Sequence, residues 1–293
     1  MTSADPVLLL GEQRLRAGAR ARRRVVSPVI WLAFAVMAGV LLMALFGALL
    51  APQSPSAQHL AIVDAPPSGA HWLGTDALGR DVLSRVIAGA RTAFFGPLVI
   101  AAASFVLGNL LGLLAGYRGG LADAVIMRWV DFMWSLPSLV ILVVVAGTVG
   151  SSYWLAVAVL IVLTVPFDTR VIRGATLEQV PRPYVEAAKT LGVPRWKIML
   201  FHIWPNVSPV AVANTCLVFA GSLVTLAGLE FLGLGLPPGI PDWGLMLSQN
   251  EALLFTNPLA TIAPGAMIVL TAIAMNLIGD WLYELLTSRG AGR

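Results

Sequence analysis

Long apolar runs and short polar passages alternate along this chain. From Val29 to Leu50 there is no charged residue, and about 20 apolar helical residues suffice to cross a hydrocarbon core. Further apolar runs lie at 94–115, 132–150, 153–169, 207–228 and 259–279. The pattern predicts six membrane-spanning helices. The first run reads as a retained span. A cleaved signal peptide has an apolar core of only about 7–15 residues, and Ala-Leu-Leu-Ala ahead of Pro52 is a poor cleavage site. Gly108, Gly112 and Gly116 recur at i,i+4 in the second run, a small-residue face that lets helices approach closely. Pro137, Pro166 and Pro264 fall within or at the edges of runs, where neighbouring helices can satisfy the freed carbonyls.

The polar passages carry the chemistry. Residues 51–70, rich in Pro, Ser and Ala, read as an irregular loop. HWLGTDALGRDVLSRVIAGAR follows and predicts an interfacial amphipathic helix. Thr75 is its cap, and Leu78, Val82, Val86 and Ala90 form an apolar stripe. Asp76 with Arg80, and Asp81 with Arg85, are acid-before-base pairs at i,i+4, the favourable order. The longest polar passage of the second half is 184–206, YVEAAKTLGVPRWKIMLFHIWPN. It predicts two short helices. Gly192 stops the first, since glycine tolerates the left-handed conformation. Pro194 suits the first turn of the second, and Pro205 ends it. Ala187 and Ala188 let a partner surface come close, and Glu186 sits in a first turn, where the helix dipole favours an acid. Such a pair is too small to build a core, so its faces need a partner. Residues 230–260 hold Gly233, Gly235, Pro237, Pro238, Gly239 and Pro241 next to Trp243. That stretch is not helical throughout, and Pro237, Pro238 and Trp243 are candidates to line an outer mouth.

Composition agrees with the spans. Hydrophobic residues make up 58% of the 293 and charged residues 12%, against roughly 25% charged in a soluble domain; mean hydropathy is +0.83. The charge distribution sets an orientation. Basic residues cluster before the first span, at Arg14, Arg16, Arg20, Arg22, Arg23 and Arg24. Arg118 and Arg128 follow the second span, and Arg170, Arg173, Arg182, Lys189, Arg195 and Lys197 follow the fourth, with Arg289 and Arg293 in the tail. With both termini cytoplasmic, 16 of the 19 basic residues lie inside and only Arg80, Arg85 and Arg91 outside, as the positive-inside rule requires. Arginines scattered over membrane flanks also argue against a nucleic-acid partner.

Several chemistries find no support. There is no G-x-x-x-x-G-K-[ST] loop, so the chain does not hydrolyse ATP in the P-loop manner. His59, His71 and His202 are far apart, and Cys216 is the one cysteine, so no catalytic, metal or cofactor set is predicted. Asp123, Asp131, Asp168, Glu230 and Asp280 sit near span ends. They read as solvated or ion-paired with nearby arginines, which disfavours a proton-coupled carrier.

At Glu186 the sequence resembles a known family. Glu186-Ala187-Ala188, three residues, Gly192, nine residues and then Pro205 match the EAA loop of permease subunits of ATP-binding-cassette importers. His202 stands where the general pattern has Ile, as in the peptide-importer branch, and Trp204 where it has Leu. Gly74-Thr75-Asp76, Gly79-Arg80-Asp81 and Ser84-Arg85 resemble the G-T-D-x-x-G-R-D-x-x-S-R signature of one permease type in dipeptide, oligopeptide and nickel importers. Met127-Arg128, Asp131, Pro137, FLGLGLPPGIPDWGLML and NLIGD are similar to further parts of that pattern.

The resemblance implies an all-α integral membrane protein of the bacterial cytoplasmic membrane. Its parts would be a cytoplasmic tail (1–28), a first span (29–50), an extracytoplasmic loop with an amphipathic helix (51–93), a permease core (94–283) and a cytoplasmic tail (284–293). It implies a non-catalytic subunit that pairs with a second, related permease. Two ATPase subunits, which hold the ATP and Mg, would take the EAA helices at Glu186, Ala187, Ala188, Gly192 and Pro205. An extracytoplasmic binding protein would deliver peptides; nickel chelates, glutathione or another small solute are alternatives, as is a non-transporting sensing subunit.

Overall fold

The structure, a computed structural model, describes residues 27–150 and 152–290. The basic cluster at Arg14–Arg24 and the terminal Arg293 lie outside the described residues. Helices are the only extended elements among those described. Helix α1, Pro28–Leu50, starts on Pro28 with the Ser27 hydroxyl accepting from the Val29 N–H. It buries a narrow face, Ala33, Val40, Ala44 and Gly47, and leaves the rest of its apolar surface open.

Helix α2, Val82–Arg118, runs unbroken through Pro97. It packs most extensively on helix α5, Tyr153–Gln179, and the glycine stripe explains why. A Cβ on Gly112 would sit 2.7 Å from the Ile172 side chain, and one on Gly116 would sit 2.7 Å from Thr176. At Gly108 it would collide with Asp168. Glycines at i, i+4, i+8 on one helix thus receive larger residues at i, i+4, i+8 on the other, which brings the backbones together.

The third predicted span, 132–150, is not one straight helix. Helices α3, Gly120–Trp134, and α4, Ser138–Val149, meet at a 76° bend. Pro137 sits at that bend, where its missing N–H and fixed φ oppose helix continuation. Among the described residues five helices are long and apolar enough to cross a membrane, six if the bent pair counts as one span.

Beyond α5 come helix α6, Pro183–Thr190, and a short turn at Arg195–Lys197. A π-helical segment, Ile198–Ile203, then runs directly into helix α7, Trp204–Phe231. Pro205 therefore does not end a helix. It lies in the first turn of α7, and the wider π turn before it accommodates the missing N–H. Gly192 does stop α6, with φ +73°, and Pro194 precedes the second helical turn as its cap rather than standing inside it. Helix α8, Trp243–Gln249, and a 3-10 turn, Glu251–Phe255, lead to the last helix, α9, Pro258–Gly290. Cys216 packs beneath Gly279 on α9, a packing residue as its apolar setting suggests.

Candidate functional site

Two polar constructions stand at opposite ends of α2. The first, at its start, differs from the predicted amphipathic helix. No helix occupies residues 71–81; the chain there folds into a tight loop held by a lone bridge between Thr75 and Asp81. Gly74 and Gly79 take φ +76° and +69°, and a Cβ on Gly79 would collide with the His59 carbonyl. That geometry excludes any side chain. Helix α2 begins only at Val82, capped by Asp81 rather than Thr75: the Asp81 carboxylate accepts from Ser84 N–H (2.8 Å) and its hydroxyl (2.6 Å). Thr75 donates to the Ile62 carbonyl (2.5 Å) and accepts from the Ala65 N–H (2.8 Å).

The charged residues of this loop are buried, not interfacial. Asp76, Arg80, Asp81 and Arg85 are each less than 5% exposed. Arg80 Nε donates to Asp76 (2.7 Å), so that i,i+4 pair forms, though across a turn. The Asp81–Arg85 pair does not form. Asp81 instead faces His71 Nδ1 at 3.0 Å, and Arg85 Nε lies 3.5 Å from Asp76. Both arginines donate to Gln249 Oε1, at 3.1 and 3.3 Å, and Arg85 also reaches the carbonyls of Pro55 and Gly239. The knot therefore ties the 51–81 loop to α8 and to the stretch before it.

That stretch divides the predicted outer-mouth residues. Pro237 and Pro238 are exposed. Trp243 is fully buried, its indole N–H donating to the Val86 carbonyl at 2.8 Å, so it is a core residue and not part of a mouth. Asp242 beside it caps α8 through Gly244 and Leu245 and accepts from the Thr92 hydroxyl (2.8 Å). Burial pushes its carboxyl up, against the pull of those donors.

The second construction is the EAA loop. Val185 and Ala188 of α6 are buried in a cluster with Leu113 of α2, Ile172 of α5, and Ile198, Ile203 and Val207. Ala188 thus faces inward as an anchor, not outward toward a partner. Glu186 and Ala187 occupy the open face, and Gly192 and Pro205 are exposed too. Tyr184 donates to Gln179 Oε1 (2.9 Å) and accepts from Asn206 (3.3 Å), joining the start of α6 to α7; burial pushes its phenol up. Trp204, the departure from the family pattern, packs edge-on against Phe105 with centroids 5.9 Å apart. The larger ring fills space between α2 and α7. Leu191, Trp196 and Phe201 stand open around the loop; three large apolar residues within a polar passage were the sequence signal for this surface.

The acids at span ends divide as well. Asp123 is held by Arg173 (2.5 and 2.6 Å), Asp131 pairs with Arg170, and Asp280 is exposed, all as read from the sequence. Asp168 and Glu230 are neither solvated nor ion-paired. Each is at most 2% exposed; Asp168 accepts from Asn214, and Glu230 from the Leu236 N–H (2.8 Å). Among the described residues no group of three His, Cys, Asp or Glu side chains is placed to hold a metal ion.

Comparison with known proteins converges on one family. A probable D,D-dipeptide transport system permease protein of Escherichia coli K12 is 37% identical over 267 residues, 91% of this chain and 90% of that protein. An oligopeptide transport system permease protein of Lactococcus lactis is 35% identical over 78% of this chain and 79% of its own length. Among solved structures, an inward-facing MetNI methionine ABC transporter gives a TM-score of 0.57 at 20% identity, over 69% of this chain and 95% of the matched one, which supports the fold. Residues 108–290, from the glycine stripe through the EAA loop to the end of α9, match the model of the binding-protein-dependent transport system inner membrane component, and the chain is a member of that family.

Proposed function

We propose that this permease subunit moves peptides across the bacterial cytoplasmic membrane and couples to two ATPase subunits through its EAA loop. One observation carries the coupling role. Helix α6 is fixed from behind by Val185 and Ala188, while Glu186 and Ala187 stand on its open face. A short helix so anchored can pass a push from a partner into α2, α5 and α7 without deforming. ATP and Mg would belong to the partners. Nucleotide shifts access to the pathway only by binding one state of the assembly better than the other.

A second, related permease would complete the pathway, with membrane lipid around the pair. An extracytoplasmic binding protein would meet the opposite end, at Pro237 and Pro238. Peptides are proposed as cargo because relatives at 37% and 35% identity are named for dipeptide and oligopeptide transport; a relative at 36% identity is named for glutathione, itself a small peptide. The orientation, with both termini cytoplasmic, follows the distribution of basic residues.

The decisive experiment is uptake by proteoliposomes holding the whole complex. Glu186→Lys, and Gly192 replaced by Phe, should insert normally yet lose ATP-driven peptide uptake. Normal uptake with normal ATPase stimulation in both would remove the coupling role. ATPase stimulation without uptake in the wild type would point to a sensing subunit instead. Leu191→Cys and Gly69→Cys, probed with an impermeant maleimide, test orientation: only the second should label from outside.

A further inference from the structure

Between the foot of α2 and the EAA loop lies a cavity of about 470 Å³. We propose that it binds the phosphate headgroup of an anionic phospholipid. Its lining is Tyr117, Arg118, Lys189, Val193, Arg195 and Ile198, with three cations and no acid. Four arginines elsewhere, Arg80, Arg85, Arg170 and Arg173, each sit within ion-pair distance of an aspartate. Arg118, Lys189 and Arg195 have no ion pair among the described residues. The Lys189 ammonium lies 5.9 Å from the face of Tyr117. Three like charges converging from three segments repel one another until an anion enters.

Position favours a lipid over a soluble anion. Arg118 is the last residue of α2, where that span ends. Above it Val106, Leu110, Leu114 and Tyr117 follow one another at helical spacing on one face, and Val106 and Leu110 are more than half exposed. An acyl chain laid along that track would place its headgroup among the three cations. Basic pockets between membrane helices on the cytoplasmic side bind anionic headgroups in this way. A bound phosphate would tie α6 and the Arg195 turn to α2 and so fix the loop's position. The site rests on the orientation proposed above, and its effect on coupling rests on the ATPase contact as well.

The test uses the complete complex in phosphatidylcholine nanodiscs containing graded phosphatidylglycerol. Native mass spectrometry reads lipid retention, and ATPase stimulation is measured in parallel. Each neutralisation should weaken retention about fivefold, and R118Q/K189Q/R195Q together about a hundredfold. Arg118→Lys should restore what Arg118→Gln loses, which separates lost charge from misfolding. Equal retention by wild type and triple variant overturns the proposal. So does stripping of the lipid by millimolar inorganic phosphate, which would make this a soluble-anion site. Variants that shed the ATPase subunits while keeping lipid would show that an acidic partner surface is the occupant. If the wild-type complex moves no peptide yet the retention pattern holds, the transport reading fails and the lipid site stands.

Discussion

At one end of α2, Asp76, Arg80, Asp81 and Arg85 are withdrawn from solvent and joined by hydrogen bonds across four chain segments. At the other, Glu186, Lys189 and Arg195 stand exposed without an ion pair among the described residues. The two groups look alike in the sequence, as charged residues in polar passages beside the same helix. Their energetics are opposite. A buried pair loses heavily when one partner is removed, because the other charge is left without water. An exposed charge costs the fold almost nothing to change. One end is locked into the fold, and the other is open, as the coupling role proposed above requires.

The contrast can be broken in several places. Arg85→Met leaves Asp76 its bond to Arg80 but removes the donor to the Pro55 and Gly239 carbonyls, and at about 1–3 kcal/mol for each stranded group should cost about 2–5 kcal/mol; a melting temperature near wild type in detergent would contradict the buried knot. Gly112→Leu should cost about 1–3 kcal/mol by forcing α2 from α5. Gly174→Leu, on α5 but facing open space, is the control and should change little. Trp243→Phe, which gives up the bond to Val86, should cost about 1 kcal/mol. Gly192→Ala meets no neighbour, so only its positive φ is strained, at about 1–2 kcal/mol. Least of all, Glu186→Lys should move stability by under about 0.5 kcal/mol while abolishing coupled uptake. If it unfolds the subunit, the open face is not free.

Much of this was legible in the sequence. Hydropathy located the spans, and the glycines at 108, 112 and 116 announced close packing. What escaped was tertiary. Asp76 and Arg80 have helical spacing, yet Gly74 before the pair and Gly79 within it turn the chain instead, and Gln249 lies 169 residues from Arg80 with no local pattern to pair them. Hydropathy ended the fourth span at residue 169, so Asp168 read as a terminal acid; the helix continues to Gln179 and carries it inside. Ala187 and Ala188 are the same residue type side by side, and only the helix phase distinguishes anchor from open face. Trp243 looked like a mouth residue because prolines precede it, but its indole spans to α2.

The uninterrupted passage from Arg195 to Phe231 has a mechanical meaning. At 1.5 Å per residue, its 37 residues make a rod about 55 Å long. Such a rod works as a lever: a tilt of about 5° at the EAA end would sweep the other end sideways by about 5 Å. Had Pro205 broken the helix, that leverage would have been lost in a hinge.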